Sequence, residues 1–332
     1  MSPIYWLTWP LLSWPMSKHR LGIIGAGAFT DFSLSAYQDL PNVTLAAITD
    51  PKLDAAKKLA DQYGIQKTYV SNEELLADPD LDVVAVLTPP HTHNAIARQA
   101  LEQNKHVLVE KPIAFTIPEA EALIQTAEQK KLQLTANLVL RHHPFHQEIA
   151  TAVSDQRYGR LRQVITTALL ARYPEDHWYW DKAISGGFFL NTFCHFLDLY
   201  DYVTGKQPVE LDSRGDVETG YVITAQYPDG PVASLSANLK VTNDQELVET
   251  VYVFEQAVIK TTGWLPHQMT LTPETGTTSV LKAEEKLSLY RKILAEILSD
   301  LLKRVENPAQ KTLITHHALL QAVVNPTRAE QN

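Results

Sequence analysis

The 332-residue chain has one cysteine, Cys194, and neither a CxxC pair nor the Cys/His spacing of a zinc finger. An internal disulfide is excluded, and a reducing, cytoplasmic setting is the default expectation. A basic tract is also missing: 29 Lys and Arg against 38 Asp and Glu give a net charge of −9. That surface repels nucleic acid and anionic lipid, which leaves small molecules or other proteins as expected partners. No apolar run is long enough to span a bilayer, so no membrane association is expected. Internal repeats and low-complexity segments are absent too. What is present is globular: 45% hydrophobic and 20% charged residues over a length that suits two domains.

Residues 1–16 stand apart. MSPIYWLTWPLLSWP is apolar and aromatic, is broken by Pro10 and Pro15, and lacks the basic start of a signal peptide. Met16 follows, and MSKHRLGIIG from there reads as the lead-in to a first strand. We expect this extension to reflect a start assigned upstream of Met16. The alternative is a weak interfacial anchor through Trp6, Trp9 and Trp14.

From Arg20 short apolar runs alternate with helical stretches. LGIIG (21–25), VTLAAIT (43–49), DVVAVLT (82–88), HVLVE (106–110) and LQLTANL (132–138) read as strands. Between them 51–64, 93–105 and 118–131 carry helical periodicity and good helix formers. This alternation predicts an α/β fold, a doubly wound parallel (Rossmann) sheet over 17–140. Beyond it, 161–173, 221–240 and 249–262 alternate at period two around turn signals such as Pro228-Asp229-Gly230. The rest, 141–332, is expected to be an α+β C-terminal domain with a mostly antiparallel open sheet, closed by helices at 284–305 and 315–324. The junction falls at 138–145.

Chemistry first surfaces in GIIGAGAFT (22–30), where the first strand should turn into a helix. Gly25 permits the tight turn, and Gly27 lets backbone approach a pyrophosphate on the helix N-terminus. Thr30 holds the third glycine position. Asp50 ends the second strand, where its carboxylate can accept from ribose hydroxyls and repel a 2′-phosphate. Its other reading is a cap for the helix that starts at Pro51.

Together the glycine pair, TPPHTHNAIARQAL (88–101), EKP (110–112), RHHP (141–144) and GGFFLNTFCHFLD (186–198) resemble the Gfo/Idh/MocA oxidoreductases, from about Lys18 to the chain end. The resemblance implies hydride transfer between a nicotinamide cofactor and a hydroxyl or carbonyl carbon of a sugar, polyol or related small molecule. It implies that Lys111, at the carboxyl end of a strand, meets the reacting oxygen, with Pro112 holding the turn. A cation there polarises a carbonyl or stabilises a developing alkoxide. His195 matches the family's acid/base histidine. Asn191, four residues earlier on the same helix face, stands where relatives often have aspartate; it cannot ionise, though it can orient a hydroxyl or the imidazole.

Expected cofactor contacts are Gly25, Gly27, Ala28, Phe29, Asp50, Thr88, Pro89, His93, Glu110 and Lys111. His93, like His91, reads equally as helix entry. For substrate, Trp178 and Trp180 offer stacking faces, and Arg141 could take a substrate oxygen or an internal carboxylate. His142, His143 and His146 lack the carboxylate or cysteine set that would complete a metal site. NAD(H) is the expected cofactor and NADP(H) the alternative, and a homo-oligomer through the C-terminal sheet is expected. Two competing readings remain: a dinucleotide-binding regulator that has lost its chemistry, and a bilin-type reductase on the same fold.

Overall fold

The computed structural model describes residues 18–171, 173–241 and 246–307. The extension at 1–16 and the helix expected at 315–324 lie outside the described residues.

The first half runs β1 (His19–Ile24), α1 (Ala28–Tyr37), β2 (Val43–Thr49), α2 (Leu53–Tyr63), β3 (Lys67–Tyr69), α3 (Asn72–Leu76), β4 (Val83–Val86), α4 (Pro90–Glu102), β5 (His106–Val109), α5 (Ile117–Gln129) and β6 (Leu134–Ala136). All six strands are parallel, in the order β3-β2-β1-β4-β5-β6. β4 is buried at every position, which is why its sequence is a continuous apolar run with no alternation. Strand order reverses between β1 and β4, and the carboxyl ends of the strands open there into a crevice.

After a 3₁₀ turn (Val139–His142) come α6 (Pro144–Ser154), β7 (Leu161–Ala171), a second 3₁₀ turn (Trp178–Trp180), α7 (Lys182–Ser185) and α8 (Phe188–Thr204). Then follow β8 (Glu210–Asp216), β9 (Gly220–Gln226), β10 (Val232–Val241), β11 (Leu247–Phe254), β12 (Ala257–Thr262), β13 (Gln268–Pro273), β14 (Ser279–Lys282) and α9 (Lys286–Glu306). The eight strands form one sheet, β14-β13-β12-β11-β7-β10-β9-β8, antiparallel except for the β7–β10 pair. Period-two alternation sets its faces: Tyr221, Ile223 and Ala225 are buried while Val222 and Thr224 are exposed. α8 packs on the inner face, where the Phe193 ring meets Tyr221 edge-on at 5.2 Å.

Within the described residues the expected strands and helices are found, with ends shifted by up to three residues. β3, β8, β13, β14, α3, α6 and α7 went unread. β8 is ELDSRGD and β14 SVLK, sheet-edge segments with too little apolar alternation to register, and β3 has only three residues. One long-range feature was also beyond the pattern. α9 crosses back to the first half, placing Tyr290 against Phe32 at 5.1 Å and donating Arg304 Nη2 to Thr135 Oγ1 at 2.8 Å.

Candidate active site

A cleft of about 540 Å³ lies between the carboxyl ends of the parallel strands and the inner side of the second sheet. Its lining begins at Phe29 in α1; the expected cofactor residues Gly25, Gly27, Ala28, Asp50 and Pro89 stand outside it. Gly25 has φ +105°, and a Cβ there would sit 2.3 Å from Leu87 O, so only glycine fits. Gly27 caps α1 without a side-chain bond, and a Cβ on it would meet nothing within 4 Å. The first amides of α1 are thus open to an anion. Ala28 is exposed at the head of the helix, and Phe29 lines the cleft. Asp50 Oδ2 accepts the Ala26 N–H at 2.8 Å and Oδ1 the Lys52 N–H at 2.7 Å, so this carboxylate braces the loop as well as the turn into α2.

After β4, the Thr88 hydroxyl meets that of Thr92 at 2.6 Å, and Thr88 lines the cleft beside Pro90; Pro89 is the exposed N-cap of α4. His93 is buried. Its Nδ1 lies 2.8 Å from Pro112 O and its Nε2 2.7 Å from Thr88 O, which staples the loops after β4 and β5 together. Burial pushes its pKa down to about 4. The imidazole edges the cleft, and the neutral ring donates its single N–H to one of these two carbonyls.

The loop after β5 carries Glu110 and Lys111, with a cis Lys111–Pro112 peptide. Lys111 Nζ donates to Asn191 O and to Asn191 Oδ1, each at 2.8 Å. Burial alone would lower its pKa, but Tyr179, Cys194 and Glu110 more than reverse this, so the ammonium is held above the ordinary lysine value. Glu110, its own pKa raised by burial, accepts from Asn137 Nδ2 and from the Lys111 N–H.

Asn191 and His195 arrive on α8, one turn apart on the face toward the cleft. The preceding pair Gly186 (φ +76°) and Gly187 (φ +89°) lets the chain turn tightly into the helix; a Cβ on Gly186 would strike the Phe115 ring at 2.7 Å. His195 stands edge-on to Trp264 at 5.0 Å. Burial, then the Lys111 charge, drive its pKa well below the ordinary histidine value, so it is neutral near pH 7. Its Nδ1 is enclosed without a partner among the described residues.

Two expectations change. Arg141 does not line the cleft: Nε donates to Asp198 Oδ2 at 2.9 Å and Nη2 to Asp198 Oδ1, so it takes the internal carboxylate. Trp180 also leaves the cleft. Its Nε1 donates to Pro174 O at 2.7 Å and its ring packs on Phe188 at 4.6 Å, whereas Trp178 stays at the mouth, 39% exposed. Tyr179 was missed between the two tryptophans. It lines the cleft, stacks on Tyr173 at 4.4 Å and points its hydroxyl at Asn191 Oδ1, 3.4 Å away. The other missed residue is Asn137, whose signal was a polar side chain inside the apolar run TANLVL. His143 and His146 serve backbone groups, Phe145 N–H and Leu140 O. Among the described residues no group of three His, Cys, Asp or Glu is placed to hold a metal.

Two family profiles match this chain. Residues 19–138 match the oxidoreductase family with an NAD-binding Rossmann fold, and 146–258 match the GFO/IDH/MocA C-terminal domain. The chain belongs to the Gfo/Idh/MocA oxidoreductases. Curated relatives include an oxidoreductase of Bacillus subtilis (strain 168), 26% identical over 64% of each chain. They also include myo-inositol 2-dehydrogenase of Thermotoga maritima, 26% identical over 60% of this chain and 58% of the relative. The matches thus span about three fifths of these relatives' length. Trans-1,2-dihydrobenzene-1,2-diol dehydrogenase of Xenopus tropicalis is 28% identical over 67% of this chain and 70% of its own. Levoglucosan dehydrogenase in complex with NADH and L-sorbose shares the fold, with TM-score 0.82 at 17% identity over 93% of this chain and 96% of that one.

For a Gfo/Idh/MocA protein the cleft is suitably equipped. The open helix N-terminus and glycine loop fit a pyrophosphate, and the strand ends beyond β1 supply Lys111 and Asn137 to the cleft.

Proposed function

We propose that the chain is a nicotinamide-dependent dehydrogenase or reductase that interconverts a hydroxyl and a carbonyl on a sugar, polyol or related small molecule. The observation that carries this reading is that Lys111 and His195 line one cleft, with the Lys111 ammonium held by Asn191 on the helix that carries His195. The dinucleotide, when bound, supplies the hydride acceptor or donor. Lys111 binds the reacting oxygen and stabilises negative charge on it. His195 Nε2 accepts the hydroxyl proton in oxidation and returns it in reduction. Asn191 fixes the ammonium between its two oxygens, and Tyr179 shares one of them. Trp178 at the mouth offers a flat face to a ring.

A regulator without chemistry would have no need to keep both Lys111 and His195 in the cleft. NAD(H) is the favoured cofactor, through the Asp50 carboxylate. The cytoplasm is the setting that a lone, buried Cys194 suits; among the described residues no helix is long and apolar enough to cross a membrane. We propose further that the outer face of the second sheet pairs with another copy. It carries Val222, 52% exposed, Ile165, 36%, and Val258, 39%, with Ile165 flanked by Ser234 and Val251 in register. A panel of sugars, polyols and cyclic diols assayed at 340 nm with each nicotinamide cofactor tests the central reading. Absence of turnover across the panel, with cofactor bound, would favour the regulator.

A further inference from the structure

The Rossmann side of the cleft contains a polar atom that nothing among the described residues satisfies. Asn137 follows β6, its backbone N–H donates to Val109 O at 2.9 Å, and its side chain lines the cleft at 2% exposure. Asn137 Nδ2 donates to Glu110 Oε1, while Asn137 Oδ1 is enclosed without a partner. The other Glu110 oxygen accepts the Lys111 N–H at 3.2 Å. With both of its oxygens accepting, the carboxylate dictates which end of the amide faces it; turning the amide over would set one acceptor against another. Asn137 is thereby fixed as an acceptor, and a buried acceptor with no partner is costly unless a ligand supplies a donor.

We propose that Asn137 Oδ1 receives the –NH₂ of the nicotinamide carboxamide and so sets the rotation of the nicotinamide ring beside Lys111. This rests on the reading that the cleft binds a nicotinamide dinucleotide. The carboxamide fits better than a substrate hydroxyl because Asn137 projects from the end of β6, next to the β5 end, on the sheet whose crevice takes the dinucleotide. The groups facing the substrate, Asn191 and His195, come from the opposite wall on α8. Glu110 acts through Asn137 as a positioning residue.

Calorimetric titration with NADH, with reduced 3-acetylpyridine adenine dinucleotide and with ADP-ribose tests the assignment. The acetylpyridine compound has a methyl group in place of the amide nitrogen. The unmodified protein should bind NADH about tenfold more tightly than this analogue, the scale of one hydrogen bond to a buried acceptor. In Asn137→Leu, which keeps the volume and removes the acceptor, and in Asn137→Ala, the two dinucleotides should bind within about twofold of each other, with ADP-ribose affinity unchanged. Equal affinities in the unmodified protein overturn the proposal, as does full discrimination in either variant. The first comparison needs no substitution, so a variant that fails to fold leaves the proposal exposed to refutation. Failure of the unmodified protein to bind any of the three ligands is a different result and removes the cofactor reading itself.

Discussion

Replacing Lys111 by methionine isolates the charge at the centre of the cleft. An ammonium has three protons. Two are held by Asn191 O and Oδ1 at 2.8 Å, which leaves one for the reacting oxygen. The substitution therefore deletes one donor to a developing alkoxide while keeping most of the side-chain volume. Loss of a single such donor is worth about 10²–10³ in kcat, or about 3–4 kcal/mol. The glycine loop sits on the far side of β4, so cofactor affinity should change by less than about threefold, the scale of a few tenths of a kcal/mol. Arginine should not rescue the rate, because its planar fork cannot reproduce a point donor shared among three oxygens. Steady-state rates at 340 nm and fluorescence titration with NADH read the two effects separately. A Lys111→Met enzyme with a kcat near that of the parent would refute the assignment, and a large rise in NADH dissociation constant would make Lys111 a cofactor ligand instead.

Other expectations are independent of that site. Burial lowers the pKa values of His93, His143 and His146 to about 4, 3 and 4, against an unfolded value of about 6.5. Between those limits the unfolded chain binds the extra protons, so their contribution is complete above pH 6.5 and is lost as pH falls. Asp201, raised to about 8 by burial, works in the opposite sense and gains as pH falls. In His146→Gln, urea unfolding between pH 6 and 4.5 should show a dependence shallower by about 1.2 kcal/mol per pH unit; an unchanged slope counts against a neutral buried His146. Asp198→Asn removes the carboxylate that both Nε and Nη2 of the buried Arg141 meet and should cost about 3–5 kcal/mol of stability, and a loss below about 1 kcal/mol in urea would mean that the pair is relaxed. NADH should bind more tightly than NADPH by about 1–2 kcal/mol through Asp50, and the reverse order would take the carboxylate out of ribose recognition. Light scattering should give at least a dimer mass, reduced to the monomer by Ile165→Glu; a monomeric parent protein would show that the outer sheet face is not an interface.

Sequence alone determined the parts of this protein governed by local pattern. Continuous apolar runs ending in polar residues marked β4 and β5 because a parallel strand covered on both faces leaves no alternation. The glycine pair marked the loop after β1 because only glycine tolerates the φ of Gly25 and its approach to Leu87. Spacing of four placed Asn191 and His195 on one helix face. Tertiary structure decided everything that depends on which groups meet across long separations. Arg141 faces Asp198 rather than the cleft because the 3₁₀ turn after β6 lies against α8, and no spacing of 57 residues announces such a pair. Tyr179 enters the cleft and Trp180 leaves it because a 3₁₀ turn sends neighbouring side chains in different directions. Asn137 became an oriented acceptor only once Glu110, 27 residues earlier in the chain, stood beside it.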